Sequence, residues 1–484
     1  MSRVLLRGGL VIDTEPTVVV HRDTDVLIED GRIAAVGPGL AVTGAEVIDA
    51  SDRIVLPGFV DTHRHLWQTP LRGIAVDVDL GWYLQQVLGG YGTRYRPEDV
   101  AAGNLAGALE CLDAGITTVQ DYSHVQHSRE HTDAALDALA SSGIRAVFGY
   151  GPSPMLGTPV DPAGMRHVAD RASGLITPAV AAIGPSYTPI DVVRADWALA
   201  AELELPIVVH ISSGPVASHP LQLLLDEGLQ RSNVLFVHGN DLPDSELKLI
   251  ADSGAAVAVT PAVEARMEMG APMAGRLKAA GVTTGLGIDV VTTAPGDMFS
   301  AMRELLALGY KTLTAAEVLQ IATLEGARAL GMSDQIGSLR PGKQADVILL
   351  RASDINLIGG LHDPIGTVVT AAHPGNVDTV LVAGNPVKRD GRLLHPDLQN
   401  TLTAVRRTAD HCTQPDRRSD REAGESGVDG GGLGVIQGFE DGGGSVPTGV
   451  DAGEIVGLLL GLAEGDQGAR GFVLAAEFEL ESDR

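Results

Sequence analysis

Between about residues 57 and 333 the chain alternates two textures. Short, nearly continuous apolar runs (ITTVQDY, IRAVFGYG, AVAAIGPS, PIVVHIS, NVLFVHG, AAVAVTP, TTGLGID) are separated by stretches with helical spacing, such as PEDVAAGNLAGALECLDAG and HTDAALDALASSG. A strand that is apolar at successive positions is buried on both faces, as in a parallel sheet flanked by helices. About eight strand–helix units in this length predict an α/β fold closed as a (β/α)8 TIM barrel rather than an open sheet.

On either side the pattern becomes that of hairpins. VLIEDGRIAAVG predicts two strands with Asp30-Gly31 at the bend, and β texture returns in GSLRPGKQADVILL and VDTVLVAGNPVKRDGRLL. The economical arrangement joins residues 1–56 and 334–400 in one composite β-sandwich domain, with the barrel of residues 57–333 inserted between them. Two unrelated β pieces are the alternative. Residues 413–484 are acidic and glycine-rich, show little periodicity and read as a flexible tail.

Composition narrows the partners. A chain of 484 residues accommodates one large barrel and a small domain. Its formal charge of −27 opposes binding to nucleic acid or an anionic membrane, since phosphates would be repelled. Two cysteines, Cys111 and Cys412, make no disulfide framework, and Cys111 in its alanine-rich helical run reads as core. The opening MSRVLLRGGLVIDTEP reads as strand, turn and strand rather than a signal peptide, and residues 455–463 are too short to span a bilayer. The expectation is a soluble cytoplasmic protein.

The chemistry begins at LPGFVDTHRHLWQT. His63 and His65, two apart at a strand end, project to one side and can hold one metal together. An isolated HxH is a weak signal. His210 ends PIVVH, His238 ends VLFVH and Asp289 ends GVTTGLGID, so all converge on the C-terminal face of the predicted barrel. Imidazoles with a carboxylate and a water suit zinc, with Fe2+, Mn2+ or Co2+ as alternatives.

With PGFVDTHRH, VVHIS, FVHG, GLGID followed by TTAPGDMFSAMR, and GSLRPGKQADVILL, the chain from residue 1 to about 400 resembles the amidohydrolase superfamily. Within it, the branch of atrazine chlorohydrolase, guanine deaminase and S-adenosylhomocysteine deaminase is the most similar in texture. The resemblance implies His63, His65, His210 and Asp289 as ligands of one divalent metal, and His238 as the group that polarises the substrate. It also implies an N-heterocyclic small-molecule substrate and a homodimer or larger assembly. Binuclear members bridge two metals with a carboxylated lysine on the fourth strand; this chain has no lysine before Lys248, which points to a single metal. On this reading a metal-acidified water attacks, Asp289 takes its proton, and His238 stabilises the charge developing on the substrate.

One departure matters. The deaminase branch carries a glutamate after the third histidine, as HxxE, to shuttle protons; here the stretch is His210-Ile211-Ser212-Ser213. A serine hydroxyl is no general base near neutral pH without help. Asp289 alone, His219 as a surrogate acid, or a better leaving group are the ways around it.

Trp67, Gln68, His124, Tyr187, Ser213 and His219 complete the candidate substrate contacts. Trp67 would stack on a planar ring and Gln68 bond its edge, against the bland reading of Trp67 as a packing residue. His124 lies in DYSHVQHSREH and Tyr187 follows AAIGPS, and surface or capping roles compete for both. Thr292 and Thr293 are placed to orient Asp289. Three functions remain open: displacement of an amino or chloro substituent from a heteroaromatic ring, ring opening of a cyclic amide or imide, and a catalytically silent metal-binding scaffold.

Overall fold

The computed structural model describes residues 3–212, 216–309 and 311–414, so nearly all of the expected tail lies outside the described residues. The flanking segment opens with β1 (Arg3–Asp13), β2 (Val19–Glu29), β3 (Arg32–Gly37), β4 (Glu46–Asp49) and β5 (Arg53–Pro57). The central segment supplies β6 (Phe59–Arg64), β7 (Ile116–Ser123), β8 (Arg145–Tyr150), β9 (Ile176–Ala182), β10 (Ile207–Ile211), β11 (Val234–His238), β12 (Ala256–Val259) and β13 (Thr283–Leu286). These eight strands run parallel in sequence order. The ring closes at its C-terminal end, where Asp289 N donates to His63 O at 2.8 Å and His65 N to Asp289 O at 3.0 Å.

The two faces of each strand explain its continuous apolar character. Val60, Val147, Ala179, Ala181, Val208, Leu235 and Ala258 fill the barrel interior. Val209, Phe236 and Val257 point the other way, into the helical layer. The two-residue period places His210 on the inner face with Val208.

After the barrel come β14 (Val347–Arg351), β15 (Val377–Val382), β16 (Asn385–Arg389) and β17 (Arg392–Leu393). They join the N-terminal strands in one nine-stranded mixed sheet, ordered β17-β16-β15-β14-β5-β1-β2-β3, with β4 also beside β1. The seam is the antiparallel pairing of β5 with β14, from Val347 opposite Pro57 to Arg351 opposite Arg53. The chain leaves that seam directly into β6. Asp346, in the GKQADVILL motif, ties sheet to barrel through a buried ion pair with Arg145 at 3.0 Å. Helix Leu398–Thr413 continues past residue 400 and packs on helix Pro97–Asp113, Thr408 Oγ1 donating to Asp99 Oδ1 at 2.8 Å. Cys111 and Cys412 are free and buried. No helix among the described residues is long and apolar enough to cross a membrane.

Candidate metal centre

Strand ends gather five side chains at the mouth of the barrel. Asp289 Oδ1 lies 3.5 Å from His63 Nε2 and 3.4 Å from His65 Nε2, and its Oδ2 lies 3.7 Å from His238 Nε2. The donor atoms of His63, His65 and Asp289 all lie within 4.8 Å of one another, as do those of His63, His210 and His238. The His210 ring stands 4.8 Å from that of His63 and stacks parallel to that of His65 at 5.6 Å.

These spacings fit a metal. Ligands on tetrahedral bonds of ~2.1 Å stand about 3.4 Å apart, the separation found around Asp289. His63 Nε2 is buried without a hydrogen-bond partner, and its Nδ1 faces Gln120 Oε1 at 3.2 Å. His65 Nδ1 faces the Tyr122 carbonyl at 2.9 Å. An imidazole that donates from Nδ1 to an oxygen keeps Nε2 as a lone pair aimed at the cluster. Burial, reinforced by the neighbouring histidines, pushes His65 and His210 well below the ordinary imidazole range, which favours the neutral ligand form. Burial opposes ionisation of Asp289, but the close approach of His63, with the charges of His238 and His65, outweighs it and holds the carboxyl at about 2.

The backbone makes this convergence possible. His238 and Asp289 have φ of +69° and +66°, left-handed conformations that non-glycine residues adopt at a cost of order 1–3 kcal/mol. Val237 already faces inward, so the turn at His238 breaks the alternation that would send the next side chain away. Beneath the cluster, Asp61 Oδ1 accepts from Ile288 N at 3.1 Å and His63 N at 3.3 Å, fastening β6 to the segment after β13.

The remaining candidates separate into groups. His124 is buried beside His65, with ring centroids 4.8 Å apart and both nitrogens unpartnered, and burial pushes its pKa down to about 3. Trp67 is wholly buried, edge-on to Tyr95 and His124 at 4.9 and 5.4 Å, with Nε1 unpartnered. Gln68 donates to Tyr83 Oη at 2.6 Å and leaves its own oxygen unpartnered. Tyr187 is 41% exposed. His219 is not among the residues brought together: its largely exposed ring faces Glu246 at 3.9 Å. Ser213 lies outside the described residues. Thr293 Oγ1 donates to Ala75 O at 3.0 Å rather than to Asp289, which backbone bonds to β6 position instead.

Two participants escaped the sequence reading. Gln120 reads as a strand interior, and its place two residues before Tyr122 is the only hint that it faces inward. Glu264 sits in helix Pro261–Arg266 after β12, and its Oε1 lies 3.3 Å from His238 Nδ1. The run TPAVE, with a proline opening a helix, reads as a helix start and hides this contact.

The chain belongs to the amidohydrolase family, whose pattern matches residues 54–387. It is 31% identical to a 5-methylthioadenosine/S-adenosylhomocysteine deaminase of Symbiobacterium thermophilum over 84% of this chain and 99% of that protein. It is 30% identical to a 5'-deoxyadenosine deaminase of Methanothermobacter thermautotrophicus over 81% of this chain and 94% of that one. An adenosine deaminase from Xanthomonas campestris, solved with bound zinc, superimposes with a TM-score of 0.78 at 28% identity, covering 85% of this chain and 98% of that one. Atrazine chlorohydrolase from Arthrobacter aurescens, complexed with zinc, gives 0.75 at 25% identity, covering 84% and 100%. This chain is a hydrolase of that family.

Proposed function

We propose that the protein hydrolyses a C–N or C–Cl bond on the ring of an N-heterocyclic small molecule, with deamination as the favoured outcome. The observation that carries this reading is the set of five side chains at the barrel mouth, with Asp289 in reach of three imidazoles. His63, His65, His210 and Asp289 would hold one divalent cation, with zinc the first choice among zinc, iron, manganese and cobalt. When bound, such a cation acidifies a water toward neutral pH and supplies the nucleophile.

The chain's own groups do the rest. Asp289, ionised across the neutral range, accepts the proton of the attacking water and returns it to the departing amine. His238 is held above the ordinary imidazole value: burial opposes its protonation, but the Glu264 hydrogen bond and the charges of Asp289 and Glu264 outweigh it. Its Nε2 therefore donates to the substrate atom on which negative charge develops. Unpartnered polar atoms of His124, Gln68 and Trp67 are the candidate contacts to a planar ring with polar edges.

The curated deaminases favour substitution over ring opening. The gathered ligands argue against a silent scaffold, which has no reason to keep them together. A homo-oligomer and a cytoplasmic location belong to the same proposal, supported by the acidic charge and the family. The test is a panel of purines, pyrimidines, pterins, triazines and cyclic imides incubated with zinc-loaded enzyme and followed by mass spectrometry. Exchange of an amino or halogen substituent for oxygen supports the reading. A product heavier by one water with nothing released replaces it with ring opening.

A further inference from the structure

A buried carboxylate, Glu264, stands behind His238 at the mouth. Its oxygens receive Thr260 N at 2.7 Å, Asn240 Nδ2 at 3.3 Å and Thr260 Oγ1 at 3.4 Å. Every one of these is a donor, which is the surrounding of an acceptor-only carboxylate. His238 Nδ1 meets the same oxygen at 3.3 Å and Thr260 Oγ1 at 3.2 Å; a bare Nδ1 lone pair would face the carboxylate, so Nδ1 carries a hydrogen toward Glu264 and the hydroxyl donates to the carboxylate. That assignment fixes the ring: Nδ1–H is anchored on Glu264, and Nε2 is turned to the side where Asp289 Oδ2 stands.

We propose that Glu264 is the positioning residue of the centre, anchoring Nδ1–H of His238 and the plane of its ring so that Nε2 of the protonated ring faces the substrate as a donor. This rests on the hydrolase reading above. Glu264 does not reach the substrate; it acts through His238, as a buried carboxylate does when it orients a catalytic imidazole. The left-handed backbone at His238 is the second part of the device. It swings the ring off the strand's alternation, and Glu264 then holds it there.

A purely structural role is the competing account, because Glu264 also caps the backbone N–H of Thr260. Ring-nitrogen NMR of the zinc-loaded full chain, labelled with 15N-histidine, separates the two. The His238 signals are assigned by their loss in His238→Gln. In the unmodified protein Nδ1 of His238 carries a hydrogen, alongside the one on Nε2 when the ring is protonated; a neutral ring with hydrogen only on Nε2 overturns the proposal without any variant. In Glu264→Gln, which keeps the shape, the Nδ1–H signal shifts or splits between tautomers. On a substrate from the panel, kcat falls at least about tenfold and by as much as about 10⁴-fold, with KM and zinc content nearly unchanged. Glu264→Asp recovers part of the loss. An unaltered His238 tautomer in Glu264→Gln, or a loss confined to thermal stability, refutes the role. If no panel compound is turned over, the hydrolase reading fails separately, and the tautomer measurement still decides this one.

Discussion

Gly287, in the GLGID motif, lies where β13 runs into β6, and replacing it with alanine tests how the metal centre is built. A Cβ at this position would stand 2.8 Å from His63 O, 2.9 Å from His63 N and 3.1 Å from His63 Cβ. The closest approach is about 0.6 Å inside the 3.4 Å at which ordinary contact begins, and the atoms met are mainly backbone. No rotamer change relieves it, so the strands must part by roughly half an ångström. They would part beside the bond from Asp289 N to His63 O that closes the barrel, and beside a ligand pair only 3.5 Å apart. Metal sites tolerate about ±0.2 Å in ligand distance, so a shift of this size spoils the geometry. Gly287→Ala is therefore expected to weaken zinc binding on the order of 10–100-fold and to cost about 1–3 kcal/mol of stability. Competition against a fluorescent zinc chelator reads the first, and thermal unfolding of the apoprotein the second. Affinity within twofold of the unmodified protein, with an unchanged melting temperature, would refute the claim that this approach sets the ligand geometry.

Other substitutions probe separate parts of the account. Gln120→Leu removes the acceptor facing His63 Nδ1 and should lower zinc affinity by about 10–100-fold while leaving the fold intact, as circular dichroism and the same competition assay will show. His124→Ala removes a ring whose nitrogens have no partner, so zinc affinity should hold while KM rises about tenfold or more; an unchanged KM removes His124 from the substrate wall. Asp196 gives a pH test away from the metal. Burial pushes its carboxyl up to about 7 despite the bond from Val160 N, so the folded state holds its proton more tightly than the unfolded chain does. Its contribution to stability therefore falls as pH rises from about 4 to about 7. Asp196→Asn should match the unmodified protein near pH 4 and exceed it at pH 8 by about 2–4 kcal/mol; equal stability at both pH values contradicts this.

The side chains gathered at the mouth were legible in the sequence because His210, His238 and Asp289 each end an apolar run, and parallel strands in a barrel deliver their C-terminal residues to one face. What escaped depends on backbone direction and on pairing between distant segments. Thr292 and Thr293 follow Asp289 closely, yet the left-handed turn at Asp289 redirects the chain, and Thr293 binds Ala75. The joining of the flanking strands was expected from their shared β texture, but its register, with Pro57 opposite Val347, is a pairing that no local periodicity records. His219 lies near His210 in sequence and faces Glu246 in space. Glu264 went unnoticed for the opposite reason: it lies 26 residues from His238 and meets it only because β11 and β12 are neighbours.

The central claim is a single divalent metal held by His63, His65, His210 and Asp289, and metal analysis of the purified chain tests it most directly. After loading with zinc and removal of unbound ion, elemental mass spectrometry should find about one equivalent per chain, falling sharply in His63→Ala and in Asp289→Asn. Two equivalents, none, or one that survives both substitutions would contradict the centre described above.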